Sequence, residues 1–275
     1  MPHVYTYVII WEDIFVFKRK IVDEYYQKWR VMLRLILVVL FVVLFLIITL
    51  PVLFVEWIIG HFNLSAKHKS SLAMVKWAFR CCLFFADTKI TVLGKENVPT
   101  DKAVLYVANH RSYFDIIINY TLVPSLTGFV SKIEMIHWPI LRTWMKNVNC
   151  LFLDRNDIRQ GMQTILSGVE KIKSGISMFI FPEGTRNKVD DTFLPFKGGS
   201  FKMAEKAGCA IIPIAINNSG QVFEDHLPKI KKAHVVLEFG KPIETASLSK
   251  EDKKVLHDTV RDQIIEMYEK NKALV

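Results

Sequence analysis

Residues 35–55 constrain this chain more than any other stretch, because 21 consecutive positions there carry no charge. As one helix they would extend about 31 Å, close to the hydrocarbon thickness of a bilayer. The run is apolar on every side, whereas a surface helix of a soluble domain keeps a polar face. Pro51 offers a place to bend. Both flanks are basic: Lys18, Arg19, Lys20, Lys28, Arg30 and Arg34 come before, and Lys67, Lys69, Lys76 and Arg80 after. A charge bias of that kind selects no single crossing. The expectation is a helical pair, 35–55 with 70–86, embedded from the cytoplasmic side with both termini on that side. A single crossing is the alternative. Leu72, Val75, Phe79 and Leu83 give the second helix one apolar face. In the first 30 residues Tyr5, Tyr7, Trp11, Phe15 and Phe17 precede the Lys18–Lys20 cluster, a mixture suited to a membrane interface.

From Thr88 onward short apolar runs alternate with helical patterns. Strands are expected at 89–93, 103–108, 128–131, 150–153, 177–181, 210–216 and 234–239. Helices are expected at 115–122, 140–146, 157–173, 201–207 and 250–271. The alternation predicts an α/β fold, a mixed central sheet flanked by helices, with the N-terminal membrane-embedded helical segment ahead of it. The chain then divides into a membrane-associated region, 1–87, and an α/β domain, 88–275. Ser249, with Asp252 three residues on, caps the last helix. Leu256, Val260, Ile264 and Tyr268 recur on one side of it and should face the sheet.

Chemistry concentrates where the second strand ends, at Asn109, His110, Arg111, Ser112, Tyr113, Phe114 and Asp115. In one continuous helix, residues five apart lie about 140° apart around the axis and do not meet. A turn carrying His110, followed by a helix starting near Asp115, brings imidazole and carboxylate together, and the carboxylate can then orient the ring. Ser112, two residues from His110, is the rival nucleophile. A second stretch, Phe181-Pro182-Glu183-Gly184-Thr185-Arg186, follows another apolar strand. Gly184 permits close approach of backbone to a ligand, and Arg186 offers a planar donor fork for phosphate or carboxylate.

Together these stretches resemble the glycerolipid acyltransferase family, in particular bacterial-type 1-acyl-sn-glycerol-3-phosphate acyltransferases. Asn109, His110 and Asp115 match its first block and Phe181 through Arg186 its third. Phe152-Leu153-Asp154-Arg155 resembles the second, Ile212-Pro213-Ile214 the fourth, and Lys132-Ile133-Glu134 with Pro139 the lysine-bearing segment between. The resemblance covers roughly residues 88–242. It implies transfer of a fatty acyl group from a thioester donor, acyl-CoA or acyl carrier protein, to the sn-2 hydroxyl of lysophosphatidic acid. His110 would be the general base and Asp115 its partner. Glu183, Gly184 and Thr185 would belong to the acceptor site. The acceptor's phosphate needs cations, and Arg186 first, then Lys132 and Arg155, are the candidates; Lys197 is either a further anion contact or a solvated loop lysine. Another lysophospholipid or glycerol 3-phosphate as acceptor, or a silent lipid-binding homologue, are the alternatives.

A formal charge of +9 with 51% hydrophobic residues suits an anionic membrane surface or anionic substrate. No zinc-finger spacing, RNP-type block or long basic run points to nucleic acid. There is no G-x-S-x-G elbow, Walker-type loop or H-E-x-x-H motif, and the chemistry calls for no metal or cofactor beyond the acyl co-substrate. Cys81, Cys82, Cys150 and Cys209 lack a disulfide framework and read as reduced thiols of a cytosol-facing protein. The expected partners are therefore a phospholipid bilayer, lysophosphatidic acid and the acyl donor. The expected location is the cell membrane, with the catalytic domain on its cytoplasmic side.

Overall fold

The structure, a computed structural model, describes residues 26, 28–189 and 191–275. The aromatic and basic residues expected at an interface, from Tyr5 to the Lys18–Lys20 cluster, lie outside the described residues. Three helices come first: α1 (Lys28–Ile48), α2 (Leu50–Phe62) and α3 (Leu64–Phe85). The long apolar run is thus shared between α1 and α2. The break falls at Thr49, with Pro51 in the first turn of α2, where its missing N–H costs nothing. By length and composition α1 is able to cross a membrane. α3 begins six residues earlier than its apolar pattern suggests, because the Asn63 side chain caps it by accepting from the Ala66 N–H.

Eight strands follow among the described residues: β1 (Thr88–Leu93), β2 (Leu105–Ala108), β3 (Thr127–Lys132), β4 (Leu151–Leu153), β5 (Ser177–Ile180), β6 (Ala210–Asn217), β7 (Ala233–Phe239) and β8 (Ile243–Glu244). Between and after them lie α4 (Tyr113–Leu122), α5 (Pro139–Asn147), α6 (Ile158–Lys173), α7 (Lys202–Ala207) and α8 (Lys250–Asn271). The strands form one mixed sheet in the order β1-β7-β6-β2-β5-β3-β4, with β8 beside β6. The five from β6 to β4 are mutually parallel, while β7 runs antiparallel to β6. The two-residue β8 has too short a pattern to be read from sequence.

Both faces of the sheet are covered. Tyr106 and Ala108 of β2 join a core with Leu72, Val75 and Leu83 of α3, Phe114 and Ile118 of α4, and Trp144 of α5. Leu105 and Val107, pointing the opposite way, join Val169 and Ile172 of α6 and Leu256, Val260 and Ile264 of α8. That alternation is the period of a strand buried on both sides. α3, on the 1–87 side of the chain, therefore shares its core with the sheet. α1 packs on this layer through Phe41, which contacts Trp77 and Phe85, and Phe45, which contacts Trp144. Its other side leaves Ile36, Val39, Leu40, Val43 and Ile47 exposed, and α2 leaves Phe54, Val55 and Trp57 exposed.

Candidate active site

Parallel strands place their C-terminal ends on one edge, and ligands in open α/β sheets gather there. β2 ends at Ala108 and delivers Asn109 and His110. β5, its neighbour, pairs Ile180 with Val107 and delivers Phe181 through Arg186. β3 ends at Lys132, and β4 leads into Asp154 and Arg155. Stretches distant in sequence meet because β5 inserts between β2 and β3.

The His110 turn is held from several sides. Asn109 bridges to β6, donating to the Ile216 carbonyl at 3.0 Å and accepting from its N–H at 2.8 Å. Ser112 is the N-cap of α4 and Asp115 its third residue, forming a capping box. Asp115 is fully buried, and its Oδ2 meets His110 Nδ1 at 2.9 Å while accepting from the N–H groups of Arg111 and Ser112 at 2.8 and 2.7 Å. A carboxylate oxygen only accepts, so Nδ1 carries the hydrogen, and in the neutral ring that leaves the lone pair on Nε2. The ring stacks on Phe181, with centroids 4.0 Å apart. Ser112 is buried, its Oγ accepting from Phe114 N and donating to Glu224, so it holds the turn rather than attacking a substrate.

Glu183 does a related job from the other strand. Its Oε1 accepts from His110 N at 2.7 Å and its Oε2 from Leu194 N at 3.2 Å. Burial raises its carboxyl from an ordinary 4.5 to about 7, against the pull of those two donors. Gly184 has a positive φ of 76°, and a Cβ there would lie 2.9 Å from Lys197 Nζ.

In front of His110 opens a cavity of about 480 Å³. Its charged lining comes from the strand ends: His110, Lys132, Glu134, Arg155 and Arg186, with Thr185 beside them. Its apolar lining comes largely from helices, including Phe41 and Phe45 of α1, Val75 and Phe79 of α3, Tyr120 of α4 and Trp144 of α5, with Phe129 of β3 and Phe181 beside them. The structure thus brings His110, Lys132, Arg155, Thr185 and Arg186 around one space, with Asp115 directly behind the ring. Glu183, Gly184 and Lys197 are not part of that lining. Lys197 sits against Gly184, and Glu183 lies behind His110. Arg186 Nη1 donates to Glu224 Oε1 at 3.0 Å, and its guanidinium stands 3.6 Å from the centre of the Tyr113 ring.

Glu224 and Asp225 were not singled out by sequence. They occupy a turn after β6, outside any periodic pattern, where Asp225 pairs with Arg111. Ser112 as a cap was legible, since it repeats the Ser-x-x-Asp spacing seen at Ser249 and Asp252. The four cysteines are free thiols, and Cys150 lies 3.1 Å from the Tyr120 hydroxyl.

A family model described as Acyltransferase matches residues 89–217. Over 200 residues the chain is 30% identical to a 1-acyl-sn-glycerol-3-phosphate acyltransferase of Borreliella burgdorferi, covering 72% of this chain and 79% of that protein. It is 28% identical to the protein of that name from Saccharomyces cerevisiae, over 64% of this chain and 59% of the yeast one. A probable 1-acyl-sn-glycerol-3-phosphate acyltransferase of Mycoplasma pneumoniae is 34% identical, and the chain spans 61% of its length. The fold matches the crystal structure of the 1-acyl-sn-glycerophosphate (LPA) acyltransferase PlsC from Thermotoga maritima. The TM-score is 0.77 at 24% identity, over 90% of this chain and 98% of that one.

Proposed function

The chain belongs to the 1-acyl-sn-glycerol-3-phosphate acyltransferase family, and we propose that it acylates the sn-2 hydroxyl of lysophosphatidic acid to give phosphatidic acid. The donor is a fatty acyl thioester of coenzyme A or of an acyl carrier protein. The observation that carries this reading is the pairing, in one cavity, of an oriented imidazole with three cationic side chains and an apolar lining.

His110 Nε2 takes the hydroxyl proton as the oxygen attacks the thioester carbonyl. The tetrahedral species collapses, the C–S bond breaks, and the imidazolium returns the proton to the leaving thiolate. Asp115 keeps the ring in the required tautomer and stabilises its charge during the transfer. The N–H groups of His110, Arg111, Ser112 and Tyr113 already have partners, as does that of Gly184. Those N–H groups are therefore not free to meet the negative charge that develops on the carbonyl oxygen. Arg186, Lys132 and Arg155 take the acceptor's phosphate. The apolar part of the cavity suits an acyl chain.

Because α1 lines that cavity and also leaves an apolar side uncovered, substrate and anchor share one region. α1 and α2 embed in the bilayer, rather than 35–55 paired with 70–86, because α3 buries Leu72, Val75 and Leu83 against the sheet. The α/β domain, residues 88–275, sits on its cytoplasmic side, where the thioesters are made, and 1–87 forms the membrane-associated region. The test is acyl transfer from a labelled donor to lysophosphatidic acid in membranes, with wild type against His110→Ala. Phosphatidic acid formed by wild type and lost in the variant is expected, and near wild-type transfer by the variant overturns the assignment.

A further inference from the structure

Glu224 lies outside every sequence block, yet it touches the active site at three points. Its Oε1 accepts from Tyr113 N at 2.7 Å and from Arg186 Nη1 at 3.0 Å, and its Oε2 accepts from the Ser112 hydroxyl. The carboxylate is only 8% exposed, against 33% for the arginine. Arg186 is thereby held twice. The carboxylate fixes one corner of the guanidinium, and the Tyr113 ring, 3.6 Å away, fixes its plane. Among the described residues its Nε and Nη2 donate to nothing, and together they form the edge that engages an oxyanion with two parallel hydrogen bonds. The same carboxylate grips the first turn of α4, the turn that carries Asp115.

We propose that Glu224 is a positioning residue for the acceptor: it holds Arg186 against Tyr113 so that the unpaired Nε–Nη2 edge meets the phosphate. It also keeps that edge in register with the helix that orients the base. The proposal rests on the reading of Arg186 as a phosphate ligand. A flexible arginine must be ordered each time a substrate binds, whereas one already ordered loses less on binding. Removing Glu224 should therefore weaken acceptor binding more than it slows the chemical step.

The experiment uses the full chain in lipid–detergent micelles, with lysophosphatidic acid varied at saturating acyl donor. Glu224→Ala should raise the acceptor KM about tenfold and change kcat by less than about threefold. Glu224→Gln should recover most of the loss. Its carbonyl oxygen can still accept from Tyr113 N and Arg186, and its amide can donate to Ser112. In an Arg186→Ala background, Glu224→Ala should leave KM where it stands, because the group it positions is gone. A KM penalty that adds in full to that of Arg186→Ala overturns the proposal. So does a fall in kcat and thermal midpoint with KM unchanged, which marks a purely structural role. If Glu224→Ala does not fold, Glu224→Asp carries the test: the charge stays, the reach shortens, and an unchanged KM is the overturning result. A wild-type protein that acylates no lysophosphatidic acid overturns the underlying function instead, and the proposal with it.

Discussion

From His110 to Asp115 each of six successive backbone N–H groups has a partner within the fold. Across the cavity, Lys132, Arg155 and Arg186 arrive from the ends of three different strands, and Lys132 and Arg155 are solvent-exposed. One side of the site is a buried unit built mostly by its own segment of chain. The other is a set of long cationic side chains that only the sheet brings together, Arg186 held by Glu224 and the Tyr113 ring. The contrast follows from their tasks. A base needs a fixed tautomer and a fixed direction, which buried hydrogen bonds supply. A phosphate clamp needs charge and reach, and must also release a product.

The comparison breaks most visibly at Asp115. Asp115→Asn should preserve the helix cap through its amide oxygen but remove the charge that supports the imidazolium. It also places an NH₂ where buried Oδ1 now has no partner. A fall of about 10²- to 10⁴-fold in kcat with a folded protein is expected, read by acyl transfer alongside circular dichroism. A fall under threefold would mean that the buried unit does not serve the base.

On the rim the expected losses are smaller and of another kind. Arg186→Ala should raise the acceptor KM by about 10- to 30-fold, or lower kcat if the contact tightens in the transition state. Arg186→Lys should recover only part, because one ammonium replaces a planar fork. Wild-type behaviour of Arg186→Ala toward both phosphate-bearing and phosphate-free acceptors would remove Arg186 from the site.

Glu183 provides a probe of the buried side that does not depend on turnover. Its carboxyl is raised by burial to about 7 from 4.5. Below pH 4.5 folded and unfolded chains both hold that proton. As pH rises, the unfolded chain releases it first, so stability falls until the folded group ionises near 7. Glu183→Gln should shift the thermal midpoint at every pH but abolish this contribution, about 3 kcal/mol across the window. An unchanged slope in midpoint against pH would show that Glu183 is not the group responsible.

The smallest effect separates the two sides by salt. Screening acts on exposed charges and scarcely on buried ones. Raising ionic strength from about 0.05 to 0.3 M should lift the acceptor KM by about two- to threefold and leave kcat unchanged. Equal sensitivity of both would erase the distinction between rim and base.

How legible each side was in the sequence follows the same division. The spacing of His110 and Asp115 allowed their pairing, because they stand five positions apart across a turn that ends in a capped helix. Lys132, Arg155, Thr185 and Arg186 line the cavity, a placement that the order of the strands decides. Glu183 resembled them in sequence but turned inward, since its neighbour on the adjacent strand is the backbone of His110. Glu224 left no trace in the pattern. Its partners are more than 100 residues away at Ser112 and Tyr113, and 38 away at Arg186.

What the sequence by itself determined is what neighbouring residues decide among themselves. The double-sided burial of β2, the cap at Ser112, the apolar length of residues 35–55 and its bend beside Pro51 all arise from forces within a few positions. What only the tertiary structure decided is which strand lies beside which, and what each helix covers. β5 inserts between β2 and β3, α1 folds onto α3 and α5 to wall the cavity, and the turn after β6 closes over Arg186. Those choices depend on burying both faces of one sheet at once, a condition no local stretch of the chain can register.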